Sequence, residues 1–346
     1  MALPNNILQN VQTYNKADLA YLQNLYCFIN SANKKYKDFE KANPANLGDT
    51  ITFDKPPRFR ANDGLVVNFQ GVEQRVQTLT VDQSKNIGID VSAQQLIFNL
   101  EDYMDRFGKA SVEELGAEVE SNVAEVCVTA PYRFYGNGIT PINSFNQLAQ
   151  ALAFFRNYGA APFATKGYLS DIVVPDIVGS GLNQFVPKGN EELRNSWELG
   201  AFSRCEWMES NLLPEHTAGS EGQAQVTLTV VSTTLNADGA VTAITFSGCS
   251  APSDADSVKE NDKFQFQDNV SGQPNIRFRT FIGHKPSASP VQFRATADAA
   301  STGGSQVTVT IDPPLQASAD KNQNITQQIV AGMQVKALPS HRAGMI

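Results

Sequence analysis

The run of about a hundred residues after His216 constrains the fold more than any other part of the chain. Six short β segments succeed one another there, at residues 224–232, 240–247, 263–267, 277–282, 290–296 and 305–311. Asn236-Ala-Asp-Gly239, Asp254-Ala-Asp256, Gly272-Gln-Pro274 and Gly303-Gly304 separate them, and each is turn chemistry. Short, closely spaced strands of this kind predict a small closed barrel or sandwich. A Ser/Gly-rich stretch at residues 217–223 opens the module and Pro313-Pro314 closes it. The texture differs on either side, so the module reads as an insertion into a host domain.

The host is organised around a helix expected at residues 111–130. Ser111 followed by Glu114 has the spacing of a capping box, in which hydroxyl and carboxylate satisfy two backbone donors reciprocally. Val112, Leu115, Val119, Val123 and Val126 recur every three or four residues and line one face. Glu113, Glu114, Glu118, Glu120 and Glu125 occupy the rest, with no Lys or Arg between them. At 1.5 Å per residue the helix is roughly 30 Å long, and Pro131 ends it. Five unpaired glutamates repel one another, so the valine face must be pinned to a sheet.

Ahead of this helix, residues 17–29 read as a short amphipathic helix, followed by the basic run Lys34, Lys35 and Lys37. From residue 49 the pattern turns extended. Thr50-Ile-Thr-Phe53 runs into Pro56-Pro57, Asn62-Asp63-Gly64 is a turn signal, and residues 72–81 and 87–91 are strand-like. These make a long two-stranded arm. An isolated hairpin is marginal in water, so the arm is expected to lie on something else. Behind the central helix, a second one is expected at residues 143–158, with Phe145, Leu148, Leu152 and Phe155 as its stripe and Gly159 at its end. A strand within residues 164–174, short helical pieces at 175–185 and 191–201 and a strand at 202–208 follow.

A chain of 346 residues has room for two or three domains. No apolar run is long enough to span a bilayer, and no membrane partner is expected. The formal charge of −8 argues against gripping nucleic acid through its phosphates. Cys27, Cys127, Cys205 and Cys249 lie far apart and read as reduced, mostly buried thiols. His216, His284 and His341 lack a Cys or carboxylate at metal-ligand spacing, and neither a phosphate-binding glycine loop nor a nucleophile elbow is present. Asp254 and Asp256 with Glu260 and Asp262 lack the turn glycine and third ligand of a calcium loop, so they read as a solvated turn. Neither catalysis nor a cofactor nor a metal is expected.

The stretch Phe202-Ser-Arg-Cys-Glu-Trp-Met-Glu-Ser-Asn-Leu-Leu-Pro-Glu-His-Thr-Ala-Gly219 resembles the coat proteins of P22-like tailed bacteriophages where the chain passes into their inserted β-domain. Lys259-Glu-Asn-Asp-Lys-Phe-Gln-Phe266 is similar to that domain's acidic turn. Val291-Gln-Phe-Arg-Ala-Thr-Ala-Asp298 with Val307-Thr-Val-Thr-Ile-Asp-Pro-Pro314 is similar to its closing hairpin. The order of elements agrees over most of the chain. The resemblance implies an α+β HK97-like capsid fold: N-terminal arm at 1–48, long hairpin (E-loop) at 49–100 and spine helix at 101–135. The axial domain follows at 136–216, the inserted six-stranded barrel at 217–322 and a return into the host at 323–346. It implies a major capsid protein that forms hexamers, pentamers and an icosahedral shell around double-stranded DNA, with scaffolding and portal proteins as partners. Such a protein is located in the virion, and in the bacterial cytoplasm during assembly. On the arm, Phe53, Phe59 and Phe69 with Arg58 and Arg60 are expected to meet a neighbouring subunit. Lys55 reads as a surface lysine, with no paired acid for cross-linking. The acidic helix suits an inner wall to which packaged DNA does not adhere.

Two other readings stand beside this one. A virion-surface adhesion or carbohydrate-binding protein would use Trp197 and Trp207 as stacking platforms, and a hydrolase of unrecognised type is the third. Residues 327–338 read as the start of the return strand, and the apolar pair Met345-Ile346 suggests an incomplete host, with part of the valine face uncovered.

Overall fold

The computed structural model describes residues 28, 50–62, 64–65, 67, 69–72, 74–80, 83–88, 108–158, 165–177, 200–202, 205–280 and 283–342. The chain divides into two compact units, Met1–Lys55 with Arg75–Val126 and Pro56–Gln74 with Cys127–Ile346.

In the first unit, β1 (Thr50–Lys55) pairs antiparallel with β2 (Arg75–Thr80) in unbroken register, from Thr50 opposite Thr80 to Lys55 opposite Arg75. The arm is therefore a ladder of six residue pairs. β2 is shorter than the expected 72–81 strand, and Ile87 and Gly88 belong to no strand. The expected helix at 17–29 lies outside the described residues, apart from helical Phe28.

α1 (Lys109–Thr129) is the helix expected at residues 111–130, with two differences. It begins two residues early, so Ser111 sits inside the first turn and its hydroxyl donates back to the Gly108 carbonyl at 2.9 Å. Ser111 therefore does not cap the helix. The valine face is also less buried than its spacing suggested. Val112 is buried, Leu115, Val119 and Val123 are half-buried, and Val126 is 62 % exposed. The buried line steps by four, through Val112, Gly116, Glu120, Ala124 and Val128. Such i, i+4 ridges are the ordinary packing rows of a helix, and Gly and Ala on this one permit close approach. Four glutamates have partners: Glu120 is buried and accepts the Phe28 N–H at 2.7 Å, Glu118 pairs with Lys85 at 2.5 Å, and Glu113 and Glu125 are engaged within the chain as well. The row of five unpaired carboxylates is thus not what the helix presents.

The second unit holds a small mixed layer and a barrel. α2 (Phe145–Asn157) starts at Ser144, whose hydroxyl accepts the Gln147 N–H while the Gln147 side-chain carbonyl accepts from Asn143 N–H. β3 (Thr165–Leu169) leads into the short helix α3 (Val174–Ile177). The segment expected as one strand at 202–208 is two, β4 (Gly200–Phe202) and β5 (Cys205–Glu209), paired antiparallel, with β3 parallel on the other side of β5. Leu148 and Leu152 of α2 pack with Leu169, Val174, Ile177, Cys205 and Trp207 in one core. The Trp207 indole lies directly over Gly167, where an added Cβ would come within 2.4 Å of the ring.

β6 (Glu215–His216) and the four-residue α4 (Ser220–Gln223) lead into the barrel region. β7 (Thr227–Leu235), β8 (Val241–Ser247) and β9 (Lys263–Phe266) come first; β10 (Arg277–Arg279) and β11 (Pro286–Pro290) follow as a separate hairpin. Then come β12 (Gln292–Ala295), β13 (Gln306–Leu315), β14 (Gln334–Ala337) and β15 (His341–Arg342). Six of them close antiparallel in the order β12-β13-β8-β7-β14-β9. Alternate residues fill the interior, where Phe246, Phe264 and Phe293 stack with ring centroids 5.3–6.3 Å apart.

The number of barrel strands is as expected, but their membership differs. Arg277–Arg279 stands outside the barrel, and Gln334–Ala337, expected to return into a host domain, fills the gap between β7 and β9. The module therefore does not end at residue 322. Nor do Pro313 and Pro314 stop it: they lie within β13, where the register against β8 shifts between Thr310 and Leu315. An irregularity of that kind is where a strand accommodates proline.

Candidate functional site

The loop at residues 56–74, which joins β1 to β2, is the candidate interaction surface. A two-stranded ladder of six pairs buries little of itself, and Val76 and Leu79 of β2 are exposed. In the loop at residues 56–74, Phe59 is 57 % and Phe69 96 % exposed, with Leu65, Val67 and Val72 exposed as well. Apolar side chains this concentrated on one loop mark a surface that gains from being covered. Phe53 and Arg58 are half-buried and have partners within the chain.

Polar contacts fix the loop without burying its apolar side chains. The Arg60 N–H donates to Gln70 Oε1 at 2.9 Å, and the Gln70 amide donates to the Arg60 carbonyl. The Arg60 guanidinium donates to Gln323 Oε1 at 3.0 Å and to the Asp320 carbonyl at 3.4 Å. Lys321 Nζ donates to the Gly71 carbonyl at 3.1 Å. Gln323 is itself oriented, because its amide donates to the carbonyls of Ala317 and Ile325. Arg60 is thus engaged within its own chain by the segment between β13 and β14.

A second polar concentration lies where the barrel begins and ends. β6 and β15 pair antiparallel, His216 opposite His341 and Glu215 opposite Arg342. His216 Nε2 donates to Asp262 Oδ1 at 2.8 Å, and the other carboxylate oxygen accepts the N–H groups of Gly219 and Lys259. Asp262 is 1 % exposed. Beside it Lys263 is buried, its ammonium 2.9 Å from the Val128 carbonyl. Burial, then the nearby Arg294, lowers the Lys263 pKa to about 8. Glu221 is wholly buried and accepts from Ser250 N–H and from the hydroxyls of Ser250 and Ser257. Sequence spacing hid this cluster, because His216 and Asp262 stand 46 residues apart and meet only through barrel closure.

The other candidate residues fall elsewhere. Trp207 is buried in the core against Gly167, so it offers no face for a sugar; Trp197 lies outside the described residues. Asp254 is the acceptor of a local turn and is held below its ordinary pKa by hydrogen bonds from the Ser220 side chain and the Asp256 N–H. Asp262, expected in a solvated turn, is buried and points inward. Cys205 and Cys249 are buried free thiols, whereas Cys127 is exposed. Among the described residues no group of three or more His, Cys, Asp or Glu could hold a metal ion, and no helix is long and apolar enough to cross a membrane.

No protein-family model matches the chain, and no curated protein does. A solved structure from Mycobacterium phage Che8 is similar to it at 12 % identity and a TM-score of 0.43, over 91 % of this chain and 88 % of the other.

Proposed function

We propose that the chain is the major capsid subunit of a tailed bacteriophage, with an HK97-like fold and a structural rather than catalytic role. Subunits join in hexamers and pentamers and close an icosahedral shell around double-stranded DNA, with scaffolding and portal proteins as assembly partners. The shell is the virion's outer wall, put together in the bacterial cytoplasm.

The observation that carries this reading is the loop at residues 56–74, whose Phe59, Leu65, Val67 and Phe69 are exposed. Covering those side chains with an adjacent subunit gains about 25 cal/mol for each Å² of apolar surface removed from water. The long acidic spine helix, the β-module with adjoining ends and the resemblance of residues 202–219 to P22-like coat proteins support the same reading.

Negative-stain microscopy of the full chain, expressed with and without a scaffolding protein, tests it. Shells or rings are the expected result, and Leu65→Ser with Phe69→Ser should leave soluble subunits that no longer associate. A wild-type chain that stays monomeric at high concentration in both cases overturns the proposal.

A further inference from the structure

The segment that leads into the barrel and the one that follows its strand β14 are held together by a ribbon of two residue pairs. His216 lies opposite His341, their ring centroids 5.6 Å apart, and Ala218 N–H donates to the Ser340 hydroxyl at 2.9 Å just beyond them. So short a ladder has little cooperativity of its own. What holds it is the polar environment of the two imidazoles.

That environment is unequal in charge. His216 is bound to Asp262, whose carboxylate also takes two backbone N–H groups and faces His341 as well. His341 Nδ1 donates to the Pro339 carbonyl at 2.7 Å, which leaves Nε2 as the atom that would accept a proton. On the cationic side Lys263 faces His341, and Arg294 faces Lys263 while engaging Asp312 at 3.1 Å and Asn261 at 2.6 Å. A proton on His341 therefore adds a second cation beside that of Lys263, opposed by the buried carboxylate of Asp262. An uncompensated buried charge is costly, and exposure to water relieves it.

We propose that the ribbon between β6 and β15 is an acid-sensitive clasp, closed at neutral pH and parted when His341 takes up a proton. Burial chiefly, then Lys263 and His216, holds the His341 pKa below its ordinary 6.5, against the opposing effects of Pro339 and Asp262. The sign follows. A folded-state pKa below the unfolded one gives a contribution present above about pH 6.5 and lost as pH falls through the folded value. Parting the clasp frees the segment that enters the barrel from the one that follows β14, so acid loosens the barrel's entry while its interior stays closed.

The test is hydrogen exchange of the full chain, followed by mass spectrometry at pH 7 and about pH 5.5 and corrected for intrinsic rates. Peptides covering residues 213–219 and 338–342 are expected to lose protection by up to about tenfold per pH unit between about pH 6.5 and the lower His341 midpoint, while β8 and β13 keep theirs. His341→Gln keeps a donor for Pro339 but takes no proton, and should abolish the acid response. Imidazole signals of the wild-type chain give an independent readout, because only three histidines are present. The His341 midpoint should mark the lower end of the pH range over which protection falls. Unchanged protection in acid, a full acid response in His341→Gln, or a His341 midpoint displaced from the lower end of that range would each overturn the clasp.

Discussion

The Lys263 ammonium lies 2.9 Å from the Val128 carbonyl, so a buried cation from strand β9 closes the last turn of helix α1. Helix C-termini carry unsatisfied carbonyls and partial negative charge, and a cation there satisfies both. The barrel module thus supplies a cap that α1 lacks in its own last turn, which holds no basic residue.

This arrangement makes stability depend on alkaline pH. Burial lowers the Lys263 pKa from 10.5 to about 8, so between these values the unfolded chain binds more protons and stability rises with pH. Lys263→Met removes that dependence along with the cap. Urea midpoints should show wild type gaining about 2 kcal/mol over Lys263→Met between pH 7 and 10. A constant difference would mean that the ammonium is not desolvated.

Barrel closure by β14 sets the limits of a foldable fragment. Residues 215–342 include all six strands and both halves of the β6/β15 ribbon, and should give dispersed amide signals. Residues 217–320 leave the edges of β7 and β9 without the strand between them. That fragment should aggregate or remain unfolded, since open edges of this kind invite pairing with other chains.

The clip on the arm's loop should govern its mobility with little effect on global stability. Arg60→Ala breaks the bonds to Gln323 and Asp320, contacts of the exposed kind that contribute at most about 1 kcal/mol. Cleavage within residues 56–74 by a non-specific protease should accelerate several-fold, with Tm within a few degrees of wild type. Unchanged cleavage would show that Arg60 does not restrain the loop.

Gly167 is fixed by the indole above it. Alanine there places its Cβ 2.4 Å from the Trp207 ring, which cannot retreat from a packed core. Overpacking of this kind costs about 1–3 kcal/mol. A lowered urea midpoint and a shifted tryptophan emission should accompany Gly167→Ala.

What the sequence disclosed was periodicity and turn chemistry. Helix α2 with its Leu148 and Leu152 stripe, the arm and a six-stranded barrel could all be read from spacing. Spacing does not report which strand closes a barrel. Arg277–Arg279 and Gln334–Ala337 are both short alternating segments, and only tertiary pairing places one outside and the other inside. Prolines misled for a related reason: Asp312-Pro-Pro314 resembles a stop, yet a register shift carries the strand through it. The His216–Asp262 pair was illegible because the residues that make it are neighbours only after closure.

Closure by β14 also orders events in time. Thr229 pairs with Gln334, partners separated by 334 − 229 = 105 positions, whereas β7 and β8 pair across a short turn. On a ribosome delivering about 5–20 residues per second, β7 through β13 are outside for seconds before the strand that completes them appears. During that interval the nascent module has two unpaired flanks and an unsealed phenylalanine core. Chaperone engagement, and the danger of nascent chains pairing with one another on a polysome, should therefore concentrate in the short period before residues 334–337 emerge.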